Sequence, residues 1–489
     1  MKKYIIHQNF IFKRPIYSIG LIFLSITIIC LYSCKKSVLV PPPTTEIVGA
    51  TLFNNDASAS AAIAGIYQSL VNTSFIASVS NGSTNFTAVS ALSADEFTLY
   101  HSATSALLQQ AYVNSISGNT LIPYWKDLYN VIYQCNNAIE SLSNGSNVTA
   151  TLKQQLIGEA EFVRAFCYFY LVNMFGNVAL TTTSNYITNE SLGQSPSVLV
   201  YQQIVADLKD AQSKLSDGFV SPTGQPTSER TLPNKTASTA LLARVYLYTK
   251  DYADAQTAAT IVINNSSNAT LVPNLNNVFL MNSDEALWQL PPVKSGFNTS
   301  DGYAFILNGN FKGLNSSQRV EYLSNQLLDA FEAGDLRRIN WVGNYNTYYF
   351  ANKYKVQGGQ AGTPVTEYYM MLRLAEQYLI RSEARAQLND LSGAAADLNI
   401  IRNRAGLPNT TAVTQTDFLN AIQHERQIEL FAELGHRWLD LKRTGAIDSV
   451  MTKVVPLKGG NSWNSTAQLF PIPVSDIIAD PNLKQNPGY

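Results

Sequence analysis

Glu159-Ala-Glu-Phe-Val-Arg-Ala-Phe-Cys-Tyr-Phe-Tyr-Leu-Val-Asn-Met-Phe175 is the segment that decides the fold, because it is apolar on nearly every side. A helix of that composition belongs at the centre of a protein core. Gly176 follows at the position where a helix C-cap is expected, since glycine adopts the left-handed conformation there without strain. Arg164 lies inside the segment, so we expect its charge to be paired by Glu161 or by an acid on another helix.

Helical periodicity continues on both sides of this segment. In the stretch 125–142, Leu128, Ile132, Cys135 and Ile139 recur at intervals of three or four residues, which is typical of one buried helix face. The stretch 56–70 has the same character. The same reading predicts further helices at 196–216, 235–249, 251–264, 366–388, 391–405 and 415–434.

Two of the predicted helix pairs resemble each other, which indicates an internal repeat. Residues 240–259 can be aligned with residues 379–398: each has a helix, a short polar break that ends in Asp251 or Asp390, and an alanine-rich helix containing Ala255 or Ala394. This pattern is similar to tetratricopeptide repeats, in which small residues let paired helices approach closely. It favours an all-α fold built from stacked helix pairs.

Two long segments, 72–123 and 266–365, lack clean periodicity. The first is rich in Ser, Thr and Asn. The second contains many aromatic and amide residues and a strand-like piece, Ala286-Leu-Trp-Gln-Leu290. Loops of such length in a compact protein are usually functional or disordered, and the aromatic content argues against disorder. We therefore expect one α domain at 51–489, with minor β-structure and with ligand-binding insertions near 72–123 and 266–365.

The N-terminal region has the features of a secretion signal. Four basic residues precede an apolar run that ends in Leu31-Tyr-Ser-Cys34, a sequence similar to the bacterial lipobox. The run is about 15 residues long, whereas a spanning helix needs about 20. We expect residues 1–33 to be a removed signal peptide and Cys34 to be lipidated. Residues 34–50, with Pro41-Pro-Pro43, are predicted to form an extended tether.

Composition and motifs exclude several classes of function. The predicted signal holds four of the 34 basic residues and none of the 35 acids, so the mature chain is mildly acidic and has no basic run for nucleic acid. No nucleophile elbow, Walker loop or dinucleotide fingerprint is present. A metalloprotease motif at His424-Glu425 would need His at position 428, which is Ile428. No catalytic residue, metal site or cofactor is predicted, although the sequence alone leaves open a carboxylate pair for glycoside hydrolysis.

Other polar and sulfur-containing residues have structural interpretations. The cluster at 424–433 is interpreted as a charged helix face with pairs four residues apart. Cys135 and Cys167 lie in apolar helical stretches and form no Cys-x-x-Cys pair. They are either buried free thiols or, if their helices are neighbours, a disulfide.

Aromatic residues in the irregular segments are the candidate ligand contacts. The chain has 26 tyrosines, and tyrosine combines a flat apolar face with a polar tip, which suits a sugar ring. The aromatic set considered is Tyr100, Tyr112, Tyr303, Phe305, Trp341, Tyr345, Tyr348 and Tyr349. The residues predicted to bind ligand are Trp341, Tyr345, Tyr303, Tyr100, Asn344 and Asn346.

Four stretches together carry a family resemblance: Glu159–Leu180, Leu372–Leu407, Glu425–Gly445 and Phe470–Tyr489. In this order they resemble the SusD/RagB family of outer-membrane nutrient-binding lipoproteins of Bacteroidetes. The resemblance implies about four tetratricopeptide-like units and a variable, loop-rich region that supplies the ligand contacts. It also implies that Arg164, His436, Arg437, Trp438 and Asp440 belong to the scaffold.

The resemblance sets the functional expectation. It implies a lipid-anchored, surface-exposed protein of the outer membrane that captures oligosaccharide without cleaving it and delivers it to a SusC-like TonB-dependent transporter. Two alternatives keep the same scaffold: a RagB-like protein that binds peptides, and an assembly scaffold that binds no small ligand.

Overall fold

The structure is a computed structural model, and it describes residues 52–77, 84–308, 319–358 and 362–489. The predicted signal peptide, Cys34 and the predicted tether lie outside these residues. The fold described below therefore concerns the predicted α domain.

Eighteen α-helices and eight short strands occur in the described ranges. The helices are α1 Asp56–Val71, α2 Phe86–Ser93, α3 Ala106–Tyr112, α4 Tyr124–Ser143, α5 Ala150–Phe175, α6 Tyr186–Asn189, α7 Ser197–Lys214, α8 Lys235–Tyr248, α9 Tyr252–Asn264, α10 Ser300–Phe305, α11 Asn325–Ala330, α12 Leu336–Asn340, α13 Leu374–Gln387, α14 Leu391–Arg404, α15 Gln415–Glu429, α16 His436–Arg443, α17 Ile447–Leu457 and α18 Val474–Ala479. The strands are β1 Phe97–Leu99, β2 Val178–Ala179, β3 Gln194–Ser195, β4 Ala286–Leu290, β5 Glu321–Leu323, β6 Val342–Tyr345, β7 Tyr348–Ala351 and β8 Tyr369–Arg373. They pair antiparallel as β1–β5, β2–β3, β4–β8 and β6–β7.

The long helices stack in chain order. Helix α4 packs on α5, α5 on α7, α7 on α8, α8 on α9, α9 on α13, and α13 on α14 and α15. Helix α5 is buried along almost its whole length, as its composition predicts, and Gly176 ends it with a φ of 74°. The expectation of an all-α fold with helical repeats is confirmed.

The predicted repeat corresponds to two turns of the same geometry, α8–α9 and α13–α14. Lys250 and Asn389 both adopt left-handed backbone, with φ of 63° and 65°. The next residue in each case, Asp251 or Asp390, donates its backbone N–H to a helix carbonyl at 2.8 Å and caps the following helix with its side chain. The polar break in the sequence is therefore a helix C-cap followed directly by an N-cap.

Three sequence expectations are corrected at the boundaries of elements. The predicted helix 366–388 begins only at Leu374, because Tyr369–Arg373 forms strand β8 against β4, and a short apolar run does not distinguish a buried strand from a helix. The helix predicted at 415–434 ends at Glu429, since Ala432 and Leu434 have φ of 53° and 41°. The irregular segment 72–123 contains helices α2 and α3.

Buried arginine–carboxylate pairs join helices that pack against each other. Arg164 of α5 pairs with Asp207 of α7, which confirms the expectation of an acid on another helix, whereas Glu161 pairs with Lys214. Later helices repeat the arrangement with Arg381–Asp397, Arg426–Asp440 and Arg244–Glu376. Each pair crosses an interface between two helices, so these ion pairs fix which helix packs against which.

The charged residues at 424–433 are structural, but their ion pairs reach other segments of the chain rather than residues four positions away in the same helix. Glu425 and Glu429 are fully buried, and Glu429 accepts hydrogen bonds from Arg373 at 2.6 Å and from Arg337 at 3.0 Å. These acids belong to a buried ion network that also includes Glu285, Asp335, Lys353, Arg402, Arg404 and Glu433. Four of these ten residues, Glu285, Asp335, Arg337 and Lys353, come from the irregular segment 266–365, so the network attaches that segment to the helix stack.

Cys135 and Cys167 are buried free thiols in this structure, which selects the first of the two alternatives. Burial raises the pKa of the Cys135 thiol to about 12. Among the described residues, no helix combines the length and the apolar character needed to cross a membrane.

Candidate ligand-binding surface

Strands β1 and β5 place one tyrosine at the surface. Thr98 lies opposite Tyr322, and the flanking pairs are Phe97 with Leu323 and Leu99 with Glu321. In β5, Glu321 and Leu323 point inward, whereas Tyr322 is half-buried. This alternation is what the period of two in a strand requires.

The beginning of β1 is attached to the helix stack. Arg437 of α16 donates two hydrogen bonds to the Asp95 carboxylate, at 2.8 and 2.7 Å. Burial raises the pKa of Asp95, but Arg437 outweighs it and holds that pKa below its usual value. Ser324 donates its hydroxyl to the Asp95 carbonyl at 2.5 Å, so the scaffold motif around Arg437 positions both β1 and β5.

The β6–β7 hairpin places two more tyrosines on one face. Its turn contains Asn346 with a φ of 56°, a conformation that two-residue hairpin turns need and that asparagine tolerates. Tyr345 lies opposite Tyr348, and Gly343 lies opposite Phe350. A Cβ atom at Gly343 would lie 2.2 Å from the Phe350 ring, so that ring lies directly over the glycine.

Four half-buried tyrosines from these strands form one surface, which we call the tyrosine surface: Tyr100, Tyr322, Tyr345 and Tyr348. The Tyr348 ring centroid lies 5.0 Å from that of Tyr322 and 6.4 Å from that of Tyr100, both near edge-to-face. Beneath these rings lie Ile306, Leu307 and Phe350, against which Tyr322, Tyr345 and Tyr348 pack. These three rings are therefore held in place by an apolar base while part of each remains open to solvent.

The electrostatics at Tyr322 favour a neutral hydroxyl group. Burial raises the pKa of Tyr322, and the neighbouring Tyr112 and Tyr348 raise it further. A protonated phenol donates and accepts hydrogen bonds, and its ring offers an apolar face. Such a set suits stacking and hydrogen bonding with a neutral polar ligand.

The structure brings together some of the predicted residues and separates others. Tyr100 and Tyr345 belong to the tyrosine surface, and Asn344 and Asn346 are exposed on the hairpin that carries Tyr345. Tyr303 is half-buried but belongs to a different aromatic group, in which its ring contacts Phe297 at 5.3 Å and the Arg319 guanidinium at 4.7 Å.

Trp341 requires a correction, because its side chain is fully buried. Its indole Nε1 donates to the Leu275 carbonyl at 2.9 Å, and the Lys353 ammonium lies 4.7 Å from its ring centroid. The ring thus completes the core beside the buried ion network and offers no face to a ligand in this conformation. Its neighbours in sequence are hairpin residues, which is why the sequence suggested an exposed ring.

Sequence reasoning missed Tyr322 and considered Tyr348 without choosing it. The signal for Tyr322 is the alternation Glu321-Tyr322-Leu323, a short strand with one side chain turned outward. Three residues are too few for periodicity to be decisive. In the described ranges, no group of three or more His, Cys, Asp or Glu residues could hold a metal ion.

The stacked helix pairs and the tyrosine surface define a helical-repeat protein that presents aromatic rings on its irregular segments. A family model described as the SusD family matches residues 197–489, and one described as "Starch-binding associating with outer membrane" matches residues 51–247. The chain belongs to the SusD family, which confirms the resemblance seen in the sequence.

Curated relatives have similar names. "SusD-like protein P2" of Formosa agariphila is 27% identical over 419 residues, which cover 75% of this chain and 80% of that protein. "Starch-binding protein SusD" of Bacteroides thetaiotaomicron is 24% identical over 71% of this chain and 75% of its own length.

Solved structures share the fold. A SusD superfamily protein from Bacteroides vulgatus matches with a TM-score of 0.76 and 20% identity over 90% of this chain and 100% of that chain. A "Laminarin binding SusD-like protein" matches with a TM-score of 0.74 and 23% identity over 89% of this chain and 100% of that chain.

Proposed function

We propose that this chain is a glycan-binding lipoprotein of the cell surface, which captures neutral oligosaccharide and delivers it to a SusC-like TonB-dependent transporter. The observation that carries the proposal is the tyrosine surface, set on a scaffold whose relatives bear the names starch-binding and laminarin-binding. Binding occurs without cleavage of a bond. The lipid anchor at Cys34 holds the protein at the outer membrane.

The physical basis is stacking on rings that are already positioned. Sugar rings have apolar C–H faces, and aromatic side chains offer large contact areas at low entropic cost when packing fixes their rotamers. The apolar base of Ile306, Leu307 and Phe350 supplies that packing for Tyr322, Tyr345 and Tyr348. Several weak contacts then add along one extended ligand.

The test is calorimetric titration of the purified protein with a panel of neutral oligosaccharides from starch, laminarin and xylan, together with a mixture of short peptides. We expect at least one oligosaccharide series to bind and Tyr348→Ala to lower its affinity about tenfold, which corresponds to a loss of about 1.4 kcal/mol. Tyr133→Ala is the matched control, because Tyr133 is 52% exposed on α4, outside the tyrosine surface.

Each outcome has a distinct meaning. Binding of peptides but of no glycan would replace the proposal by the peptide-binding alternative. Binding of neither, with retained association to the transporter, would favour the assembly scaffold. Release of reducing ends in excess of the protein would mean catalysis and contradict the proposal. Co-purification of the transporter with the lipidated protein tests the delivery step separately.

A further inference from the structure

We propose that a groove whose lining side chains are all uncharged, close to the tyrosine surface, is a second subsite that extends the binding of the same neutral oligosaccharide. We call it the C-terminal groove; it is formed by residues 113–118, 459–467 and 488–489. This inference rests on the proposed function and adds the length of the ligand and the path that it follows.

The size and the lining of the C-terminal groove fit such a ligand. Its volume is about 530 Å³, within the usual range of ligand sites. None of the 15 residues that line it has a charged side chain. Amide and hydroxyl groups dominate: Asn114, Ser117, Asn461, Ser462, Asn464 and Thr466. Such groups hydrogen bond to sugar hydroxyls and offer no ionic partner to an acidic or a basic ligand.

Several of these groups are available for a ligand. The side chains of Asn461 and Ser462 are exposed and make no hydrogen bond to another described residue. Gly460 brings the backbone close to the opposite wall, because a Cβ atom there would lie 3.2 Å from the Val113 carbonyl oxygen. The groove is therefore narrow at its base, and it has free donors and acceptors on one rim.

Tyr112 connects the C-terminal groove to the tyrosine surface. It is the last residue of α3, and α3 packs against β1, the strand in which Thr98 lies opposite Tyr322. On the other side, the Lys458 ammonium lies 5.4 Å from the Tyr112 ring centroid. Val113, which follows Tyr112, and Gly459, which follows Lys458, both line the groove. The groove thus begins one residue after the helix that packs on β1, and this proximity is the basis for extending a ligand from Tyr322 into the groove.

A second cleft provides the control. It has a volume of about 310 Å³, lies at the C-terminal end of α4 and includes Glu140 in its lining. Asn144 lines this cleft, as Asn461 lines the C-terminal groove, and both side chains are exposed. Asn461→Trp fills one opening and Asn144→Trp fills the other with the same change of residue.

The experiment measures the affinity of the wild type and of both variants for maltotriose, maltohexaose, laminaritriose and laminarihexaose. We expect the wild type to prefer the hexasaccharide of the series that it binds. Asn461→Trp should lower hexasaccharide affinity at least tenfold and change trisaccharide affinity less than twofold. Asn144→Trp should change neither. Thermal unfolding of each variant verifies the fold.

Two results would overturn the proposal and are distinguishable. If Asn461→Trp and the wild type bind the hexasaccharide with equal affinity, the proposal of a second subsite is wrong. The proposal that the tyrosine surface binds the ligand would not be affected. Absence of binding by the wild type to all four sugars contradicts both the second subsite and binding of these glucans at the tyrosine surface.

Discussion

Arg164 and Asp207 form a two-point ion pair across the interface of α5 and α7, with Nε–Oδ2 and Nη2–Oδ1 distances of 2.8 and 2.7 Å. Both side chains are more than 90% buried. Removing one partner leaves an uncompensated buried charge, which typically costs about 3–5 kcal/mol. We therefore predict that Asp207→Ala lowers the free energy of unfolding by that amount, measured by urea denaturation.

The matched control for this prediction is Asp217→Ala. Asp217 pairs with Lys235 at 3.3 Å, but the two side chains are 87% and 51% exposed. An exposed pair contributes at most about 1 kcal/mol. A loss at Asp207 no larger than that at Asp217 would mean that α5 and α7 are held by apolar packing alone.

Gly343→Ala is predicted to disrupt the hairpin of the tyrosine surface. The added methyl group would lie 2.2 Å from the Phe350 ring, so the ring or the strand must move. Overpacking of this kind costs about 1–3 kcal/mol. We expect lower stability in thermal unfolding and weaker oligosaccharide binding, since Phe350 forms the base under Tyr345 and Tyr348.

Gly65→Ala serves as the control for Gly343→Ala. Gly65 lies within α1, and apart from the adjacent residues and the backbone of the helix itself no atom lies within 4 Å of an added Cβ. Alanine in a helix interior is favoured over glycine by up to about 1 kcal/mol. The same substitution should therefore stabilise the protein at Gly65, and destabilisation at both positions would contradict the steric argument.

His436 is predicted to make stability depend on pH. Burial lowers its pKa to about 4; Glu376 opposes this shift, and the guanidinium groups of Arg244 and Arg426 favour it. The unfolded chain, in which the pKa is about 6.5, binds more protons between those values. The contribution of His436 to stability is therefore complete above pH 6.5, and up to about 3 kcal/mol of it is lost as pH falls to 4.

The measurement compares the wild type with His436→Gln in urea unfolding at several pH values. Glu159 and Asp301 have pKa values raised by burial to about 7, so their contributions run in the opposite direction over part of the same range. The difference between the two proteins isolates His436. The difference in the free energy of unfolding between the wild type and His436→Gln should diminish as the pH falls from 6.5 to 4. A difference that does not depend on pH would refute the prediction that His436 makes stability pH-dependent.

The sequence predicted the helix stack well because each long helix has its own periodic pattern and its own caps. Helix α5 and the turns at Asp251 and Asp390 are examples in which local signals suffice. The buried ion network was not predictable, because Glu285, Arg337 and Glu429 are far apart in sequence and only the tertiary fold brings them together. The cluster of charges at 424–433 was therefore interpreted as a helix face with pairs four residues apart, whereas its ionic partners lie on other segments.

The candidate site was predictable only in part, for the same reason. Composition placed the aromatic residues in the irregular segments, and Tyr100 and Tyr345 indeed contribute to one surface. Which ring faces outward depends on strand pairing over three or four residues, as in β5 and β6. Sequence periodicity over such short strands does not separate Tyr322, which faces solvent, from Trp341, which does not.

Trp341 and Tyr348 should therefore respond differently to mutation. Trp341→Phe removes the hydrogen bond to the Leu275 carbonyl and part of a fully buried ring, so we expect lower stability and unchanged oligosaccharide affinity of the folded protein. Tyr348→Ala should lower affinity about tenfold with a smaller effect on stability, because the ring is half-exposed. Calorimetric titration and urea unfolding of both variants measure the two effects. If Trp341→Phe weakened binding while leaving the unfolding curve unchanged, the ring would have to reach the ligand, and the assignment of Trp341 to the core would be wrong.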